Sequence, residues 1–257
     1  LGSALAIALS GSGYTINALV ARTRRKAEQA ARLLANQPLP LTHKQLEQLP
    51  PSDLFIISTP DDAIEATAQK LAEVRQSKGV ALHTSGALSS SVLEPLKLGF
   101  STGSLHPLVS VSEARAGAEA LRGAFYCIEG DRKAQTIAKR IVSDLDGHSF
   151  SVRAKDKALY HAAAVMASPH MTALFDVALQ LLVDCGLSRR TARQVLLPLV
   201  QSTVDNLKIF DTDKALTGTF ARGDVATVRR HLSALGGSKH AAREIYRVLR
   251  PGGRLLL

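Results

Sequence analysis

The chain has 257 residues, 46% of them apolar and 21% charged, which is enough to bury one large or two ordinary cores and too apolar for a disordered segment. Lys and Arg exceed Asp and Glu by 32 − 22 = 10 charges, which favours an anionic partner; aromatics at 4% with no Trp supply few base-stacking platforms and argue against nucleic acid. Cys127 and Cys185 stand alone without metal-ligand spacing, so neither a disulfide framework nor a metal site is expected.

No basic-then-apolar secretory start is visible, and no unbroken apolar run approaches the ~18 residues that cross a bilayer. A cytoplasmic protein without membrane contact is therefore expected. Through residue 152, short β-branched or apolar runs alternate with Ala-rich helical stretches, the pattern of βαβ units around a parallel sheet. Strands are predicted over Thr15–Ala21, Asp53–Ser58, Gly79–His83, Ser101–Leu105, Ala124–Glu129 and His148–Val152. Helices are predicted over Gly2–Leu9, Arg24–Ala35, Asp62–Arg75 and Arg132–Leu145, the last with apolar residues at helical spacing. After Lys155 the strand signals stop. Helices then follow over Asp156–Ala167, Pro169–Val183, Arg189–Leu207 with a bend at Pro198, Val225–Leu235 stopped by Gly236 and Gly237, and Lys239–Leu249. The fold class is α/β, with a sheet domain over 1–152 and an all-helical domain over 153–257.

Gly2 precedes a small-residue helix and a strand. It reads either as an ordinary terminal glycine or as the third glycine of a G-x-G-x-x-G turn whose first strand and first two glycines are missing from these 257 residues. Spacing favours the second. In a dinucleotide fold, the residue that meets the adenosine ribose follows that turn by about 20 positions, and Arg22 stands there at a strand end. An NAD site wants an acid at this point, whereas Arg22, Thr23 and Arg24 offer guanidinium forks and a hydroxyl suited to a 2′-phosphate.

Three further strand ends deliver polar residues and tight turns to one sheet edge: Thr59-Pro60-Asp61-Asp62, His83-Thr84-Ser85-Gly86 and Gly103-Ser104-Leu105-His106-Pro107. Thr59, Pro60, Ser85 and Gly86 are candidates for the cofactor, His106 for the chemistry. One of Asp61 and Asp62 is expected to cap the following helix. Lys157 and His161, four apart, share a face at the start of the next helix, and the residues from Ala162 to Ala167 are expected to carry that helix into an apolar core. In the loop 215–224, Asp224 is an expected N-cap, and Arg222 is the candidate to hold an anionic ligand.

The strings Arg22-Thr23-Arg24, His83-Thr84-Ser85-Gly86, Gly103-Ser104-Leu105-His106-Pro107, Tyr160-His161-Ala162-Ala163-Ala164 and Leu216-Thr217-Gly218 through Arg222-Gly223-Asp224 resemble the Rossmann-like family that carries domain of unknown function 2520. That family is similar to ketopantoate reductase, pyrroline-5-carboxylate reductase and 6-phosphogluconate-dehydrogenase-like enzymes. The resemblance implies an N-terminal NADP-binding domain and a C-terminal helical domain that forms a homodimer. It also implies hydride transfer to a small, anionic substrate. Lys157 and His161 hold the spacing of a catalytic Lys and Asn in several of those enzymes, with His in place of Asn. Catalytic roles then fall to Lys157, His161 and His106, and substrate binding to Arg222 and Thr217. Pro169 and Thr219 depart from the family pattern, so the alternative implied is a non-catalytic NADP-binding sensor or scaffold.

Overall fold

The computed structural model describes residues 1–74 and 78–235. The helix expected over Lys239–Leu249, the Gly236–Gly237 stop and the Arg75 end of an earlier helix lie outside them. The chain divides into two compact units, the first Leu1–Ser168 and the second from Pro169 onward. The first contains, in order, α1 (Gly2–Gly11), β1 (Ala18–Ala21), α2 (Arg24–Ala31), β2 (Leu39–Thr42), β3 (Leu54–Ile57), α3 (Asp61–Val74) and β4 (Gly79–His83). It continues with β5 (Phe100–Pro107), α4 (Ala114–Leu121), β6 (Phe125–Gly130), α5 (Arg132–Asp144), β7 (His148–Phe150) and α6 (Lys157–Ala167). The second contains α7 (Pro169–Asp184), α8 (Arg189–Ile209), α9 (Thr212–Ala215), α10 (Gly218–Ala221) and α11 (Val225–Ala234).

Every strand expected from the sequence forms, within a few residues of its predicted bounds. In the first unit two elements were not foreseen, and in the second the short helices α9 and α10 form where no helix was expected. β2 contains Pro40, which weakens a strand signal but is tolerated where its missing N–H is not needed. α4 starts from a Glu113 cap, whose carboxylate accepts from Arg115 N at 3.0 Å and Ala116 N at 2.9 Å, an uncommon capping residue.

The strands do not form one continuous sheet. β1 and β2 pair in parallel by themselves, and β3-β4-β5-β6-β7 form a second sheet. Asn17, just before β1, spans the break by donating from Nδ2 to Pro51 O at 3.0 Å and Ser52 Oγ at 3.1 Å, just before β3. Nor is the larger sheet wholly parallel: β6 runs antiparallel to β5, because the connection through α4 leaves β5 at Pro107 and returns beside it at Tyr126.

Side chains alternate between the two faces of this larger sheet. Val80, Leu82, Leu105, Tyr126 and Ile128 point to a fully apolar face covered by α1, α4 and α5. On the opposite face, Ile57, Ala81 and Phe100 pack with Ile64, Ala68 and Leu71 of α3. That second face changes character along the strands, because the positions that continue it are His83, Ser104, His106, Cys127 and Glu129. The apolar positions stop where the polar ones begin.

The loss of strand signal near Val152 is not the edge of the first unit. α6 belongs to the sheet unit, because its first residue, Lys157, is fully buried against it. The rest of α6 does not enter an apolar core as expected: Ala162, Ala163, Met166 and Ala167 are exposed, and Leu159 is 76% exposed. The helix is Ala-rich all round, so its composition did not mark which side was covered. Together with α7, it also makes Ala154–Asp184 long and apolar enough, by length and composition alone, to cross a bilayer, although no unbroken apolar run marks it in the sequence. Ser168 (φ −130°, ψ −76°) leaves helical geometry within that stretch, and Pro169 opens the next helix.

In the second unit, α8 continues through Pro198, where a bend was expected, and starts from a Ser188 cap that accepts from Thr191 N at 3.1 Å. Asp224 caps α11 as expected, its Oδ1 accepting from Thr227 N at 3.0 Å. Because Leu105 lies fully buried at the centre of the apolar face, Leu105→Ala is expected to cost about 2–5 kcal/mol, read as a lowered urea midpoint at unchanged slope.

Candidate active site

The polar patch of the second face is assembled by strand register. His83 stands beside Ser104 across β4 and β5, Ser104 opposite Glu129 across β5 and β6, and His106 opposite Cys127. Partners directly across a ladder point to the same side, so five chemically active residues share one surface. The first turn of α6 lies over it. Lys157, Tyr160 and His161, at positions i, i+3 and i+4, face the strands while Leu159 faces solvent.

Lys157 is the centre of this arrangement. Its Nζ donates to Ser104 Oγ at 2.8 Å and to the Ser85 carbonyl at 3.2 Å, tying β5 to the loop after β4. Burial pushes its ammonium below the usual lysine range, and the nearby carboxylates of Glu129 and Asp61 oppose that shift. Ser85 is a junction in its own right. Its Oγ donates to Asp61 Oδ2 at 2.7 Å and accepts from Ala87 N at 3.2 Å and Leu88 N at 3.0 Å. Asp61, in the first turn of α3, thus holds a neighbouring loop.

His83 holds the same loop from the strand. Its Nδ1 accepts from Ser85 N at 3.2 Å, and its Nε2 pairs with Ser89 O at 3.2 Å, which requires a neutral ring protonated on Nε2. Glu129 fastens the next residues, accepting from Ser90 N and Ser90 Oγ at 2.7 Å each. His106 Nδ1 is 2.6 Å from Tyr160 Oη, and its ring lies edge-on to that of His161 with centroids 5.6 Å apart. Gly86 makes this approach possible. A Cβ there would sit 2.5 Å from His161 Cδ2 and 2.8 Å from both Cε1 and Nε2 of His106.

Burial, followed by Lys157, lowers His83 to a pKa of about 4. Burial, followed by His161 and then Lys157, does the same to His106. Both rings are neutral at pH 7. Burial raises the Cys127 thiol and the Tyr160 hydroxyl, which therefore keep their protons.

The structure brings Lys157, His161, His106, Ser85 and Gly86 together as expected, and adds Tyr160, Asp61, His83, Ser104, Cys127 and Glu129. Tyr160 was legible in principle, since it shares a helical face with Lys157. The β6 residues were not, because their placement rests on the unforeseen strand reversal. Gly2 packs against the end of β3, where a Cβ would meet Ser58 Oγ at 2.4 Å. Thr59, next along, has a buried Oγ1 with no partner among the described residues, and Pro60 leads into α3. Thr23 caps α2 through a long 3.4 Å contact from Lys26 N, and Arg24 pairs with Glu28 at 2.9 Å. Arg22 is exposed and makes no ion pair among the described residues. Arg222 and Thr217 are exposed residues of the second unit. No group of His, Cys, Asp or Glu suited to a metal occurs among the described residues.

Two family models match the chain, that of a Rossmann-like domain over residues 1–107 and that of a domain of unknown function, DUF2520, over residues 124–251. Among solved structures, the chain is similar to a Bacteroides fragilis protein regarded as an NADP oxidoreductase, with 22% identity, coverage of 96% of this chain and 91% of that one, and a TM-score of 0.78. It is also similar to a Thermotoga maritima protein, with 23% identity, coverage of 90% and 91%, and a TM-score of 0.67. A Plasmodium falciparum pyrroline carboxylate reductase with NADP bound aligns at 13% identity, 96% and 90% coverage, and a TM-score of 0.62. At these identities the likeness establishes the fold. No curated protein matches the chain.

The two neutral histidines give the unit a pH signature. Their folded pKa of about 4 lies below the ordinary 6.5, so the unfolded chain binds more protons between those values. Their contribution is complete above pH 6.5 and is lost as pH falls toward 4, by about 3 kcal/mol apiece at most. Urea midpoints are expected to fall steadily from pH 7 to pH 4, with His83→Gln or His106→Gln flattening the profile.

Proposed function

This chain belongs to the family that joins a Rossmann-like domain to the domain of unknown function 2520, and on that footing we propose that it is an NADP-dependent oxidoreductase. It moves a hydride between the nicotinamide and a carbonyl or imine carbon of a small anionic substrate. The observation that carries this reading is the buried Lys157 ammonium, gathered with His106 and His161 at the C-terminal edge of β4. In open α/β sheets, that edge is where ligands bind.

The residues present fit NADP. Gly2 lets the start of α1 approach Ser58 closely, and Thr59 Oγ1 is a buried polar atom awaiting a partner. Arg22 is left to meet a 2′-phosphate at the end of β1, with Thr23 and Arg24 beside it at the start of α2. Thr59, Pro60, Ser85 and Gly86, just after β3 and β4, would help to hold the cofactor. Bound NADPH would supply the hydride.

The chain itself supplies charge and position. Reduction of a carbonyl leaves negative charge on oxygen, and Lys157 answers it with an ammonium that spends two N–H bonds on Ser85 O and Ser104 Oγ and keeps a third. Lowering its pKa by burial makes that third proton easier to give. His161, packed on Gly86 beside His106, orients the substrate. Solution screening of NADPH oxidation against keto acids and cyclic imines tests the activity, and absence of turnover together with tight NADPH binding would favour a sensor.

Arg22→Ala is expected to weaken NADPH binding about ten- to hundredfold, the loss of a charge-assisted contact of ~1.5–3 kcal/mol, while leaving NADH binding unchanged. An equal loss for both nucleotides would sink the 2′-phosphate assignment. Lys157→Met keeps the volume and removes the charge, and should lower turnover at least about a hundredfold with little change in NADPH affinity.

The second unit supports association with a second copy of this chain. Val195, Leu197 and Leu199 of α8 and Leu207 and Ile209 near its end are exposed, with Ile209 at 74%. Val195, Leu199 and Ile209 lie toward one face of the helix, and exposed apolar residues of this kind suit a self-complementary interface. A dimeric mass by sedimentation at micromolar concentration is expected, and Leu199→Glu should shift it to monomer.

A further inference from the structure

We propose that Tyr160 is a positioning residue that fixes His106 as its Nε2–H tautomer, so that His106 presents a neutral N–H donor to the substrate atom on which charge develops. The identity of that atom rests on the functional reading above. The tautomer rests on contacts within the first unit alone.

Tyr160 Oη lies 2.6 Å from His106 Nδ1, and on its other side it is within hydrogen-bonding reach of the Cys127 thiol. Cys127 stands directly opposite His106 in the β5–β6 ladder, so the phenol oxygen bridges two residues already paired by the backbone. The Tyr160 ring is held edge-on between Phe150, with centroids 5.8 Å apart, and His106, at 5.6 Å. The phenol is thereby fixed from both sides as well as at its tip.

The direction of the contact follows from acidity and length: a phenol O–H is a far stronger acid than a neutral imidazole N–H, and 2.6 Å is the separation of a short O–H···N bond, so the phenol donates to Nδ1. A neutral imidazole that accepts at Nδ1 carries its proton on Nε2. His83 shows the same tautomer by a different route, through Ser85 N and Ser89 O. The difference between them is what lies at Nε2. In His83 it is spent on a carbonyl, whereas in His106 it has no hydrogen-bond partner among the described residues. The Cε1–Nε2 edge of His106 rests on Gly86, and any side chain at that position would block it.

A neutral imidazole polarises a carbonyl without releasing its proton, so no imidazolate forms and no proton passes back through Tyr160. The hydride goes to the carbon, the proton that completes the reduction comes from Lys157, and His106 with Tyr160 ends in the state in which it began. The division of labour is thus one charged group that gives a proton and one neutral group that only donates a hydrogen bond.

Long-range proton–nitrogen correlation spectra of the ¹⁵N-histidine-labelled full chain at pH 7 test this, with His106 assigned from its disappearance in His106→Gln. The expected result is an Nε2–H pattern for His106 in the unaltered protein, and a mixture with the Nδ1–H form in Tyr160→Phe. An Nδ1–H pattern, an imidazolium, or a Tyr160→Phe spectrum identical to the parent would overturn the proposal. The parent spectrum decides the tautomer even if Tyr160→Phe fails to fold. NADPH binding is followed in the same samples by nucleotide fluorescence, so that failure of the cofactor reading is seen separately from failure of the tautomer. With a turned-over substrate in hand, Tyr160→Phe should lower kcat at least tenfold at unchanged NADPH affinity. An unchanged kcat would overturn the substrate-facing half of the proposal.

Discussion

An ammonium group withdrawn entirely from water sets the terms for everything around it. Lys157 Nζ lies between Ser85 O and Ser104 Oγ, and an isolated charge in such a place would cost several kcal/mol without compensating partners. The compensation is visible in its neighbours. Asp61 and Glu129 contribute favourable charge without forming a direct ion pair, and both carboxylates are occupied by serines. His83 and His106 relinquish their protons, so that the cluster holds one cation and not three.

The same bonds make the loop after β4 a rigid body. Residues 84–90 are tied at Ser85 by Lys157, Asp61 and His83, at Ser89 by His83, and at Ser90 by Glu129. A loop at a ligand-facing sheet edge is ordinarily among the more mobile parts of a fold. This one is anchored by side chains from α3, β4, β6 and α6, which keeps Gly86 within a fixed distance of the two imidazoles. Precision of this kind is what positioning catalysis needs, because displacement of a donor by about 1 Å forfeits much of its effect.

The reversal of β6 is the topological device that completes the patch. In a parallel continuation, the strand beside β5 would present its residues in the opposite order along the strand. Running antiparallel, β6 sets Glu129 at the level of Ser104 and Cys127 at the level of His106. The apolar face of the same strands, with Leu105, Tyr126 and Ile128 under α1, α4 and α5, supplies the burial that holds the reversal in place.

The amino-acid sequence by itself determined the alternation of strands and helices, the Lys157–His161 face, the basic cluster at Arg22 and the polar ends of β4 and β5, because each depends on local periodicity or on residues adjacent in the chain. β2 escaped it because Pro40 lowers strand propensity, and α4 because its cap is a glutamate. What only the tertiary structure decided are the relations between distant residues: the β5–β6 reversal that brings in Cys127 and Glu129, and the bond between Asp61 and Ser85. The exposure of Ala162, Ala163, Met166 and Ala167 also belongs here. These are settled by which surfaces are left to pack once the apolar face of the sheet is covered, and no local pattern encodes that. The Lys157 spacing was readable from the chain, but the depth at which its charge is buried, and hence its chemistry, was not.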